Sequence, residues 1–197
     1  MYRAVTWLAL QQGLGPGDDE SLLRIAESAD ICFQQSGHGA AQSVFCRGRD
    51  VTGDIRSLAV SGAVSWVSAL PGVRDAMVKA QREMAAGYDV VMDGRDIGTV
   101  VLPDAECKIF MTASLEERAK RRLKEREGKI PEQVLDDIIS ELKSRDEEDS
   151  NRAASPLRMA EDSVLLDTTA LSFQEVIDEV LTIIRASSPT GTSEESG

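Results

Sequence analysis

One stretch of this 197-residue chain sets an arginine between two carboxylates: Asp93-Gly94-Arg95-Asp96-Ile97-Gly98-Thr99-Val100-Val101. A guanidinium is a planar fork of donors that fits a phosphate, and a nearby aspartate can accept from an amino group. The flanking glycines let a ligand come close to the backbone. Asp93 and Asp96 also permit a plainer reading, an Asp–Arg ion pair inside a tight turn. Arg145, Asp149 and Arg152 recur at i, i+4 and i+7, on one helical face. In a segment that closes over a nucleotide, the arginines would meet phosphate and the aspartate would accept from a sugar hydroxyl. A solvated, salt-bridged helix face has the same spacing. Arg118, Arg121 and Arg122, at i, i+3 and i+4, form a third cluster. It suits a nucleotide's phosphates or stacking on its base, and equally a solvated face.

These residues need elements to hold them. The apolar run Tyr88-Asp89-Val90-Val91-Met92 is predicted as a strand that ends at Asp93, and Cys107–Met111 and Val164–Asp167 as two further strands. Buried apolar strands alternating with helices indicate an α/β protein with a parallel sheet, whose ligands bind beyond the carboxyl ends of the strands. Ser114-Leu115-Glu116-Glu117 reads as a capping box that opens the basic helix, to about 127, and a charged helix follows over roughly 131–145. The last helix is predicted over 172–185. Ahead of these, Met1–Leu10 reads as a helix ended by Gly13-Leu14-Gly15-Pro16-Gly17, and Asp18-Asp19-Glu20-Ser21 starts a second. Ile31–Phe33 and Ser43–Cys46 predict a small antiparallel hairpin about a turn at 36–39. Helices are predicted at 56–69 and 72–86, with Pro71 suited to a helix start.

Composition narrows the class. With 42% hydrophobic and 28% charged residues the chain is expected to pack as a globule. The net charge of -12 argues against a nucleic-acid surface, which needs an accumulated basic field. It leaves room for a small phosphorylated ligand, which a few convergent arginines can hold. No apolar run is long enough to span a bilayer, so no membrane partner is expected. Cys32, Cys46 and Cys107 are odd in number and form no CxxC pair, which fits reduced thiols and a cytoplasmic setting. His38, the single histidine, has no evident partner for a metal or catalytic role.

Taken together the chain resembles the bacterial cytidylate kinases. The stretches that carry this are Tyr2-Arg3, Asp50-Val51-Thr52-Gly53-Asp54-Ile55-Arg56, Pro71-Gly72-Val73-Arg74, Asp93–Val101, Arg145-Asp146 with Asp149 and Asn151-Arg152, and Leu166-Asp167-Thr168-Thr169, in that order. The resemblance implies a P-loop nucleoside monophosphate kinase fold. It would have a parallel-sheet core, a small antiparallel β insert in the acceptor-binding region and a helical lid. It implies one kinase-like domain over 1–186, with the acceptor region at about 10–86, core strands at about 88–111 and 163–167, a lid at about 118–155, and a disordered tail at 187–197. The implied reaction moves the γ-phosphoryl group of ATP, with Mg2+, onto CMP or dCMP. Arg3, Arg95 and Arg152 would hold phosphates, and Ser65, Arg74 and Asp96 would face the cytosine. Arg145 and Asp149 would touch the sugar, and Asp93 would belong to the same substrate site. Arg95, Arg145 and Arg152 would be the catalytic residues, and Arg118, Arg121 and Arg122 would bind ATP. A monomer is expected, with no protein residue assigned as a metal ligand.

Phosphoryl transfer in this fold class rests the donor's phosphates on G-x-x-x-x-G-K-[ST]. That signature does not occur here; Gly13–Gly17 is glycine-rich but no Lys-Ser/Thr follows it. The resemblance begins at the fold's second helix. The first strand and the P-loop are therefore expected to precede Met1, either because Met1 is an internal methionine taken as the start or because the chain was cut, and their loss would impair transfer by this chain. The alternative from another class is a non-catalytic CMP-binding or regulatory protein without an ATP site.

Overall fold

The computed structural model describes residues 1–35, 41–125, 133–152 and 154–187. The turn predicted at 36–39, with His38 in it, lies outside these residues, as does the part of the predicted basic helix beyond 125. Of the tail expected to be disordered, Ser187 is the last residue of a helix and 188–197 lie outside the description. The chain divides into two compact units, Met1–Val90 and Val91–Gly197.

The first unit is built around α1 (Tyr2–Gln11). Six consecutive residues, Ala4 to Ala9, are buried, so the helix is covered on every side rather than along one stripe. The one hydroxyl among them is satisfied locally, Thr6 Oγ1 donating to the Tyr2 carbonyl at 2.9 Å. Gly13 and Gly17 take positive φ in the turn that follows, and Asp18 Oδ2 accepts from Gly15 N at 2.8 Å before α2 (Asp19–Glu27) begins. Strands β1 (Ile31–Gln35) and β2 (Gln42–Cys46) pair antiparallel, as predicted.

A third strand, β3 (Arg49–Asp50), extends this sheet. Arg47 and Gly48 turn the chain into it with φ of 51° and 75°, the left-handed pair that a two-residue hairpin loop requires. The strain on a non-glycine residue there is offset by two bonds: Arg47 Nε and Nη2 donate to the carbonyl and hydroxyl of Ser28. A 3-10 turn at Asp54–Arg56 leads to α3 (Leu58–Ala69), capped by Ser57, and Pro71 opens α4 (Pro71–Ala85) at its first position. Val60, Val67, Val73 and Met77 from these helices join α1 in one apolar core.

The run that passes from the first unit into the second corrects one prediction. Tyr88–Met92 is not a strand: among the described residues it joins neither sheet, and Tyr88 and Val91 are 76% and 99% exposed. An apolar β-branched run becomes a strand only where another backbone edge accepts its N–H and C=O groups. Among the described residues the parallel ladder joins β4 (Ile109–Thr112) and β5 (Val164–Asp167). Between the exposed run and β4 lies a π-helical turn, Ile97–Val101. Helix α5 (Leu115–Glu125) is capped as expected, Glu117 N donating to Ser114 Oγ at 3.2 Å. Helix α6 (Gln133–Asn151) runs further than predicted. Ala119 of α5 and Ile138 and Leu142 of α6 form a small buried cluster. Helix α7 (Phe173–Ser187) closes the described chain.

Candidate functional site

In the first unit, Arg3 projects from the first turn of α1. Its Nη1 donates to the Ile55 carbonyl and to Ser61 Oγ, each at 3.0 Å. The helix start and the Asp50–Arg56 stretch are thus joined by the arginine to which a phosphate role was assigned. Arg74 lies in the first turn of α4 and is 2% exposed. Its Nη1 donates to the Ser68 carbonyl at 3.1 Å, and Ser68 Oγ donates to the Ser65 carbonyl at 3.1 Å. Ser65 is half-buried on the same α3 turn, so two of the three residues assigned to the base belong to one linked local arrangement. The third, Asp96, is in the second unit.

There, the π-helical turn shapes the loop. The Asp96 carbonyl accepts from Val100 N at 2.9 Å, from Val101 N at 3.2 Å and from Thr99 Oγ1 at 3.4 Å. π-helical turns often mark functional sites because they re-aim the residues beside them. The Asp96 side chain is buried, whereas Asp93 and Arg95 are exposed. The Gly98 backbone passes close to Lys108, whose Cδ would stand 3.3 Å from any β-carbon placed there.

Arg95 Nε pairs with Asp149 Oδ2 at 2.9 Å, and Arg152 Nη1 with Asp149 Oδ1 at 3.3 Å. Arg152 Nε also donates to the Ser155 carbonyl at 2.7 Å. Burial first, and then the positive charge of Arg95, pull the Arg145 pKa below its usual value, while Asp149 acts in the opposite sense. Arg95, Arg145 and Arg152 therefore gather about one carboxylate that is 8% exposed. Arginines gathered in this way are the side chains an incoming phosphate needs. Sequence spacing placed Arg145, Asp149 and Arg152 on one face; that Asp149 bridges Arg95 and Arg152 emerges only in three dimensions.

The three arginines of α5 do not converge. Arg118 pairs with Asp146 of α6 at 2.7 Å, and Arg122 with Glu141 of α6 at 2.9 Å. Arg121 donates from Nη1 and Nη2 to the hydroxyl and carbonyl of Thr168, and from Nε to Glu117. A triphosphate would have to displace these acceptors. Among the described residues no group of three or more His, Cys, Asp or Glu side chains stands together as a metal cage. Sequence reasoning did not single out Tyr2 beyond its place in the helix start. The Arg74 guanidinium carbon lies 5.3 Å from the centre of its ring, and no local pattern announces a contact between positions so far apart in the chain.

A sequence model of the family described as cytidylate kinase matches residues 1–186. The chain belongs to the cytidylate kinase family. Three curated relatives carry that name. The protein of Caldanaerobacter subterraneus subsp. tengcongensis is 45% identical over 94% of this chain and 80% of its own length. That of Streptococcus gordonii is 48% identical over 90% of this chain and 78% of its own, and that of a Geobacillus species 47% over 93% and 81%. By family the protein is an enzyme of the nucleoside monophosphate kinase type, whose activity is phosphorylation of CMP with ATP as donor. The helices and parallel ladder of the fold agree with that family. No helix among the described residues is long and apolar enough to cross a membrane.

Proposed function

We propose that this chain recognises CMP or dCMP as the acceptor of the γ-phosphoryl group of ATP, giving CDP or dCDP. The observation that carries the reading is the gathering of Arg95, Arg145 and Arg152 about Asp149. Arg3, Arg95 and Arg152 take the phosphates. Ser65, Arg74 and Asp96 read the cytosine, Arg145 and Asp149 meet the sugar, and Asp93 stands beside Arg95 in the same loop. Cytosine offers an amino donor beside two acceptors, which suits an aspartate and an arginine. Uracil would turn a carbonyl toward Asp96 and oppose two acceptors, a costly mismatch. Arg95, Arg145 and Arg152 neutralise charge on the transferring group, where positioning and electrostatics do most of the work.

Arg118, Arg121 and Arg122 are assigned to the donor nucleotide on condition that their present acceptors are released. Mg2+ would supply charge neutralisation at the donor's phosphates, and no residue of this chain is assigned to it. Since G-x-x-x-x-G-K-[ST] does not occur in these 197 residues, transfer by them alone is expected to be slow. The same fact favours the second reading, a CMP-binding protein without catalysis. A cytoplasmic monomer fits both.

Following CMP, dCMP or UMP with ATP and Mg2+ by phosphorus NMR tests the proposal. CDP and dCDP forming ahead of UDP is the expected result. Binding of CMP without turnover selects the second reading. Turnover of UMP at the rate of CMP would overturn the base assignment.

A further inference from the structure

Lys108 stands just ahead of β4, and its side chain is 7% exposed. A lysine is seldom so buried unless its ammonium is paired. Here Nζ donates to the Pro103 carbonyl and to Asp162 Oδ2. Asp162 is 65% exposed, so water screens that pair and it contributes little to stability. The stem of the side chain has a second occupation. It runs along the open side of Gly98, where a β-carbon would stand 3.3, 3.5 and 3.7 Å from Lys108 Cδ, Cγ and Cβ. Gly98 belongs to the π-helical turn, and Pro103 lies just beyond it. One side chain thus meets the loop twice, with its methylenes at the middle of the turn and with its ammonium where the chain leaves. The Lys108 backbone is itself fixed to the ladder, since its carbonyl accepts from Val164 N at 2.9 Å.

The contact extends to residues assigned to the nucleotide. The Ile97 side chain lies over Gly94, where a β-carbon would be 2.9 Å from Ile97 Cγ1 and Cδ1. Arg95 and Asp96 stand between Gly94 and Ile97, and the Asp96 carbonyl accepts from Val100 N and Val101 N of the turn. We propose that Lys108 is a positioning residue for the acceptor site. It fixes the π-helical turn to the sheet and so sets Arg95 and Asp96 for CMP. This rests on the assignment of those two residues made above. Lys108→Met keeps the stem and removes the ammonium.

The full chain and Lys108→Met are compared by amide hydrogen exchange and by calorimetric titration with CMP and with UMP. In Lys108→Met the amides of Val100 and Val101 are expected to exchange roughly 3- to 10-fold faster, the worth of about one hydrogen bond, while those of α1 keep their wild-type rates. CMP affinity is expected to fall over the same range of roughly 3- to 10-fold. UMP affinity falls by less, because Asp96 reads an amino group that uracil does not carry, so the preference narrows. Faster exchange at the turn with wild-type binding makes Lys108 a structural pin and overturns the proposal. Unchanged exchange at the turn, or equal losses for CMP and UMP, also overturns it. Each of these leaves the CMP assignment intact if the wild type prefers CMP. A wild type with no such preference removes the assignment and this inference with it. Should Lys108→Met fail to fold by circular dichroism, Asp162→Ala takes its place, since it alters an exposed residue and withdraws one acceptor from the ammonium. The same changes are then expected at smaller size; wild-type exchange and preference in that variant would overturn the proposal.

Discussion

Asp149 shows what a single carboxylate does in this molecule. It is nearly buried and bridges Arg95 and Arg152, with Arg145 close enough to feel its charge. Removing it leaves like charges facing one another with reduced hydration. Asp149→Ala is expected to lower the stability to urea by about 1–3 kcal/mol, and added phosphate should stabilise the variant more than the wild type by replacing the lost negative charge. Asp167 offers a pH test. The Thr169 hydroxyl, and after it the Thr169 N–H, hold its carboxyl below the usual range. A lowered folded value means the contribution is complete above the unfolded pKa near about 4 and is lost as pH falls through the folded value. In Thr169→Val the Asp167 carboxyl resonance should titrate at higher pH, and the acid-unfolding midpoint should move up with it. At this scale the shared face of Arg145, Asp149 and Arg152 was legible from their spacing, which suits anion binding and a solvated, salt-bridged face alike. The Tyr2–Arg74 contact and the bridging role of Asp149 were not, because both depend on residues brought together from distant parts of the chain.

Elements with a local cause were read well. Ser114 at the start of α5 and Pro71 at the start of α4 act through bonds and φ angles within a few residues, so their signal is in the sequence. Ser114→Ala is expected to destabilise the protein by about 1 kcal/mol, as urea denaturation with circular dichroism at the helix band would measure. The hairpin β1–β2 was legible from its β-rich runs, but β3 was not. A two-residue strand has almost no composition of its own, and its turn needed Arg47 in a left-handed conformation usually left to glycine or asparagine. The error at Tyr88–Met92 has the opposite origin. Its composition is that of a buried strand, yet strand formation belongs to a pair of segments, and the partner is a matter of tertiary structure.

Over the whole molecule the apolar core is uneven. The first unit buries one continuous cluster drawn from α1 through α4, including Val5, Leu22, Val67 and Met77. The buried cluster described in the second unit consists of Ala119, Ile138 and Leu142. Local opening follows buried apolar contact, so amides of α1 and α3 are expected to exchange with deuterium more slowly than those of α5 and α6; equal protection in both units would contradict this. The chain also combines a net charge of -12 with arginine clusters that the proposed function assigns to an anion. Global charge therefore says little about the ligand, and the local arrangement says most. The measurement that meets the central claim most directly is a calorimetric titration of the full chain with CMP and, under identical conditions, with UMP. CMP is expected to bind at least about tenfold more tightly, the cost of one buried polar mismatch; no heat with CMP, or equal affinity for UMP, would contradict the account.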